Sequence, residues 1–191
     1  MTQPLTATPH PLAAPWRSWV NLTLVGYTGV VIALTLLKSF YTIGLLWKPE
    51  NQHHQELRLV PFQIIQDANS TFSAVFDILG NLALFVPLGI MLMIVVRRAP
   101  VVLGIALLFS LGIEVTQYIF SLGRSDSTDV ICNVAGAGVG AWIATWFSSR
   151  PGWSRHWHRA LTVMVAVTVV VFVVLVILGP TLGDPTAVVP A

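Results

Sequence analysis

Charge is scarce in this chain. Asp, Glu, Lys and Arg make up only 9% of its 191 residues, while 55% are hydrophobic. An average soluble domain carries roughly 25% charged residues. A water-soluble globule of this size would lack the polar surface to stay dispersed, and the mean hydropathy of +0.77 agrees. The composition belongs to the membrane class. Cysteine is nearly absent as well. Cys132 stands alone, so no intrachain disulfide can form, and in its apolar run it reads as a small packing residue rather than a nucleophile. The ten basic residues are scattered, which leaves nucleic-acid binding without support. A P-loop, a Gly-x-Ser-x-Gly elbow, a His-Glu-x-x-His pair, a dinucleotide fingerprint and an inverted internal repeat are all missing. His53 and His54 are adjacent and lack the spacing of paired ligands, so no metal and no cofactor are expected.

Long apolar runs are what the chain does have. About 20 apolar residues cross roughly 30 Å of hydrocarbon. Five segments qualify: Trp19 to Leu37 (with an extension toward Leu46), Phe76 to Val96, Val101 to Phe120, Asp129 to Phe147, and Leu161 to Leu178. Pro100 divides the second from the third. The first run is too long for a signal-peptide core and no Ala-x-Ala site follows it, so it is read as a retained helix. The fold class expected is all-α, a polytopic transmembrane bundle of about five helices. The organisation follows: a cytoplasmic tail over 1–18, a membrane domain over 19–178 with its core at 58–147 and an outer loop at 47–75, and a disordered tail over 179–191. Pro180, Gly183 and Pro185 break regular structure in that tail. The fifth segment is almost wholly Val, Leu and Ile and reads as a lipid-facing anchor with nothing to line a site.

Orientation is set by Lys and Arg in short loops. A cytoplasmic N-terminus places Arg17, Arg97, Arg98, Arg150, Arg155 and Arg159 inside. Lys38, Lys48, Arg58 and Arg124 then lie outside, three of them in the long first loop. Under this topology every acidic residue falls outside or in the outer half of a helix: Glu50, Glu56, Asp67, Asp77, Glu114, Asp126, Asp129 and Asp184. Trp16, Trp19, Trp47, Trp142, Trp146, Trp153 and Trp157 near segment ends fit interfacial anchors.

The second helix opens with Asp77 and Asn81, four apart and so on one face. The third carries Glu114 and Gln117 on a stripe with Ser110 and Ser121, and the fourth opens with Asp129 and Asn133. Antiparallel neighbours bring all three pairs toward the same membrane surface, beneath a hairpin that holds Arg124 and Asp126. A helix rise of 1.5 Å per residue sets Glu114 roughly 10 Å below that hairpin. A carboxyl at this depth costs on the order of 1–3 kcal/mol and must face protein or water; Arg124 is one available partner. Such groups often only bridge helices, yet three helices and a hairpin contribute here, which points to a ligand as well. Gly136 and Gly140 continue the stripe of Asp129 and Asn133 and suit close helix packing, against this chain or a second copy in a homo-oligomer. Pro87, in mid-helix, strips the Ala83 carbonyl of its donor and predicts a kink. The apolar, Pro-bearing stretch Leu59 to Ile65 in the first loop reads as an interfacial or re-entrant segment that could lid the cluster. Asn69-Ser70-Thr71 matches a glycosylation acceptor, a pattern short enough to arise by chance.

Taken in order, Leu59-Val60-Pro61-Phe62, Asn81-Leu82-Ala83-Leu84-Phe85-Val86-Pro87-Leu88-Gly89, Glu114-x-x-Gln117, Arg124 and Asp129-x-x-x-Asn133-x-x-Gly136-x-x-x-Gly140 resemble the VanZ-like family of bacterial membrane proteins. The pieces span about residues 58 to 145. Arg58 stands where the family often has Asn, and the hairpin is about one residue short. The resemblance implies a multi-pass protein of the bacterial cytoplasmic membrane with an influence on tolerance of teicoplanin-type glycopeptides. It supplies no reaction. Two functions are therefore weighed. One is binding of a membrane lipid or a lipid-linked cell-wall precursor at the outer leaflet by Asp77, Asn81, Gln117, Arg124 and Asn133. The other is an intramembrane enzyme, with Glu114 and Asp129 as acid and base, Asn81 and Asn133 orienting the substrate and Arg124 holding an anionic group. A channel fits less well, because the inner halves of the helices offer almost no polar residue to line a path.

Overall fold

The computed structural model describes residues 14–37, 55–63, 65, 71–150 and 154–178. Along the chain run α1 (Ala14–Thr35), β1 (Gln55–Arg58), α2 (Thr71–Val96), α3 (Ala99–Phe120), β2 (Gly123–Asp126), α4 (Ser127–Ser148) and α5 (Ser154–Leu178). All five helices are long and apolar enough to cross a membrane. The architecture is an all-α transmembrane bundle. The extension of the first run toward Leu46, the tail from Gly179, the His53–His54 pair and Asn69–Ser70 lie outside the described residues.

Helix α2 is the hub. Its contact with α4 is the most extensive in the molecule, α3 packs chiefly on α4, and α1 lies against α2 and α5. Phe85, Met91, Val102, Ala106 and Ala137 are fully buried between these helices. Outward faces keep large apolar side chains exposed, such as Leu108, Val170 and Ile177, as lipid contact requires. The α2–α4 contact is close because Gly136 and Gly140 lie directly against the α2 backbone. A Cβ at Gly136 would meet the Leu82 carbonyl, and one at Gly140 the Val86 carbonyl. Gly89 on α2 answers with the same closeness to the Ala137 backbone. The glycine stripe therefore has its partner within this chain. Helix α2 runs on through Pro87. The Tyr27 hydroxyl donates to the Leu84 carbonyl at 2.9 Å, one residue from the carbonyl that Pro87 leaves without a donor.

Several boundaries differ from the sequence reading: α1 begins at Ala14 rather than Trp19 and α2 at Thr71 rather than Phe76. Pro100 does not divide α2 from α3 but sits in the first turn of α3, where its missing N–H costs nothing. The break falls at Arg97, whose backbone is left-handed at φ 60°. Helix α4 starts two residues before Asp129, capped by the Asp126 side chain, which accepts from the Thr128 N–H at 2.8 Å. Helix α5 starts at Ser154 rather than Leu161, because no breaker follows Pro151 and Gly152 and the helix takes in His156, Trp157 and His158. The first loop also holds a strand, β1, that its sequence does not announce. β1 pairs in parallel with β2, Gln55 opposite Gly123 and Arg58 opposite Asp126.

Candidate functional site

The polar end of the bundle is assembled around the hairpin between α3 and α4. Ser121 takes the left-handed conformation (φ 53°) and ends α3, with the Leu122 N–H returning to the Gln117 carbonyl at 3.0 Å. The chain then runs extended as β2 and enters α4 through the Asp126 cap. Glu114, only 7% exposed, fastens this hairpin from below. Its Oε2 accepts the Asp126 backbone N–H at 2.8 Å, and its own carbonyl accepts the Ser125 hydroxyl at 3.1 Å. The partner of Glu114 is thus a backbone amide, not Arg124.

Arg124 reaches across to α2 instead. Its guanidinium stands 3.8 Å from Asp77 and 3.9 Å from Asp126. Both contacts are long for charge-assisted hydrogen bonds. About a third of the Arg124 side chain and nearly half of that of Asp77 remain exposed, while Asp126 is fully buried. Among the described residues the Arg124 Nε and the Asp126 Oδ2 find no hydrogen-bond partner. Asn81, one turn below Asp77, is half-buried. Asp129 is half-buried in the first turn of α4, close enough for its charge to act on Glu114.

Gln117 and Asn133 bridge helices. Asn133 donates to the Ser110 hydroxyl at 2.9 Å, joining α4 to α3. Gln117 donates to the Thr35 carbonyl at 3.2 Å, joining α3 to the end of α1. Each keeps its amide oxygen buried without a hydrogen-bond partner among the described residues. The structure thus brings Asp77, Arg124, Glu114 and Asp129 to one end with Asp126, and makes Gln117, in the last turn of α3, and Asn133 struts between helices. No group of three His, Cys, Asp or Glu among the described residues could hold a metal ion.

The described part of the first loop, residues 55–63 and 65, lies against this end. Besides the β1–β2 ladder, the Phe62 N–H donates to the Thr128 hydroxyl at 2.8 Å, with Phe62 in the left-handed region at φ 61°. Leu59, Val60, Phe62 and Ile65 stay exposed and form an apolar rim beside the hairpin. Asp126, which the sequence places in the hairpin without a role, is the functional residue not foreseen there. Its signal was available, as a cap-type side chain immediately before an apolar helix.

A family model described as VanZ/LLP1 matches residues 24–148, from within α1 to the end of α4. Protein VanZ of Enterococcus faecium is 32% identical over 116 residues, which covers 60% of this chain and 66% of that protein. The match therefore spans just under two thirds of the relative's length. No solved structure matches at a significant level.

Proposed function

The chain belongs to the VanZ/LLP1 family, and we propose that it binds the headgroup of an outer-leaflet lipid or lipid-linked cell-wall intermediate at the hairpin end of its bundle. The observation that carries this is the state of Arg124. A guanidinium has five donors in a fixed fork. Among the described residues it is part-exposed and held by long contacts to Asp77 and Asp126. It can turn toward a phosphate without breaking a short bond, while Asp77 and Asn81 accept from hydroxyl or amide groups of the same headgroup. The apolar rim of Leu59, Val60 and Phe62 lies where the acyl chains of such a ligand begin. Binding of this kind would let the protein influence teicoplanin tolerance, as the family suggests.

The presence of Glu114 and Asp129 at the same end of the bundle gives the enzyme reading its one support, since two neighbouring carboxylates can divide acid and base roles. Binding is favoured over it because Glu114 is nearly inaccessible and already committed to a backbone amide. Arg124→Gln is expected to lower retention of a lipid-linked cell-wall precursor, read by native mass spectrometry of the purified protein, by roughly tenfold, the worth of one charge-assisted contact. Teicoplanin tolerance of a host expressing the variant should fall with it. Unchanged retention and tolerance would remove the basis of the proposal.

In this reading the protein lies in the bacterial cytoplasmic membrane, its N-terminus in the cytoplasm and the hairpin outside. Arg17, Arg97, Arg98, Arg150 and Arg159 gather at the end opposite the hairpin, as the positive-inside tendency favours. Leu122→Cys should be labelled in intact cells by a membrane-impermeant maleimide, against a silent background because Cys132 is only 4% exposed. Labelling that needs permeabilised cells would invert the topology and with it the leaflet of the ligand.

A further inference from the structure

Opposite the hairpin, a cavity of about 290 Å³ opens between the ends of α2 and α4 and the start of α5. Its lining is divided. Met93 and Ile94 supply an apolar wall, while Arg97, Thr145, Ser148 and His158 supply a polar one. The volume sits near the lower bound of roughly 300 Å³ typical of small-ligand sites. The segment Leu161–Leu178 supplies nothing to this lining; His158 comes from the turns of α5 ahead of it, where it is buried and bonded to Ser148 at 2.7 Å.

The hydrogen bonds fix the polarity of this wall. The Ser148 hydroxyl gives its proton to the Ala144 carbonyl at 2.6 Å, so His158 Nε2 is the donor toward Ser148 Oγ. The Thr145 hydroxyl likewise donates to the Ala141 carbonyl, at 2.8 Å. Both carbonyls lie within the hydrogen-bonded ladder of α4, so each hydroxyl can rotate to a ligand without orphaning them. Arg97 has no ion pair among the described residues, and the acidic side chains described, Asp77, Glu114, Asp126 and Asp129, all belong to the hairpin end. Arg97 also occupies a left-handed backbone position that an arginine adopts at a cost. Around the cavity, Arg150 stacks on Trp146 at 4.0 Å and Arg159 on Trp16 at 5.2 Å, with Phe147 stacked on Trp157. Such aromatic and arginine belts mark the depth of lipid headgroups.

An uncompensated guanidinium, a histidine and two hydroxyls beside an apolar wall at headgroup depth suit an anionic amphiphile. We propose that this cavity binds the phosphate headgroup of an anionic membrane lipid in the leaflet on the arginine-rich side, with Arg97 as the main donor to the phosphate. The chemistry is shared with free phosphate, but only a lipid also uses Met93 and Ile94. The site is at the far end from Arg124 and does not rest on the function proposed for the hairpin.

The test uses the full chain in phosphatidylcholine nanodiscs doped with phosphatidylglycerol, with retained lipid counted by native mass spectrometry. Asn tolerates the left-handed backbone at position 97, so Arg97→Asn removes the charge without adding strain. It should retain roughly tenfold less phosphatidylglycerol than the parent. Met93→Trp, which fills the cavity and leaves every charge in place, should give a loss of similar size. Arg98→Gln, next in sequence but outside the cavity lining, should change nothing, and excess inorganic phosphate should not displace the lipid. Equal retention by Arg97→Asn, or equal loss in Arg98→Gln, would overturn the site. Displacement by phosphate alone would overturn the lipid assignment.

Discussion

Gly140→Leu is expected to abolish the folded bundle rather than weaken it. A Cβ at this position would sit 2.8 Å from the Ile90 amide nitrogen and closer still to the Val86 carbonyl. Both are backbone atoms of α2, so no rotamer change relieves the clash. Helix α2 would have to back away along the contact it shares with α4, the most extensive in the molecule. Overpacked cores usually lose about 1–3 kcal/mol, occasionally more. The upper end or beyond is expected here, because two helices must part and lipid supplies no hydrophobic force to bring them together. Gly140→Ala carries the same first atom and should lower the melting temperature clearly, without the branched side chain's further damage. Gly104→Leu is the control, since nothing lies within 4 Å of a Cβ placed there. Melting of the detergent-solubilised variants by fluorescence or size exclusion decides the matter. A parent-like melt for Gly140→Leu would mean that α2 and α4 do not meet through these glycines.

The same interface shows how far the sequence could be read. The five spans were legible because the length and apolarity needed to cross a bilayer leave few alternatives. The Gly136-x-x-x-Gly140 stripe announced a close contact, but a surface without side chains fits any backbone, so its partner on α2 was not written in it. The carboxylates were visible as costly intrusions into apolar helices, and that cost says only that each is satisfied. It does not say by what: Glu114 turned out to hold a backbone amide, and Arg124 two other acids. The β1–β2 ladder left no sequence trace, because four residues in a polar loop are too few for alternation to register. The start of α5 was missed for a related reason. His156, Trp157 and His158 lower the hydropathy of a window without disfavouring the helix, so a search for apolar length stopped short of a turn that lines a cavity.

Asp126 separates architecture from chemistry at the hairpin, and two substitutions there should behave differently. Asp126→Ala removes the acceptor of the Thr128 N–H, a cap worth about 1 kcal/mol and up to 2. It also takes away one of the two carboxylates that hold Arg124. Because the Thr128 hydroxyl carries the Phe62 amide, loosening the first turn of α4 should release the first loop as well. The expected result is a loss of about 2 kcal/mol, the cap plus one buried partner. Hydrogen exchange should become fast at the Thr128 and Phe62 amides together. Asp126→Asn keeps an oxygen for the cap and loses only the negative charge. Its melting temperature and exchange at Thr128 should stay near those of the parent, while Arg124 is left to Asp77 and freer to move. Slow exchange at both amides in Asp126→Ala would show that the hairpin is held from elsewhere, with Glu114 on the Asp126 amide as the first candidate.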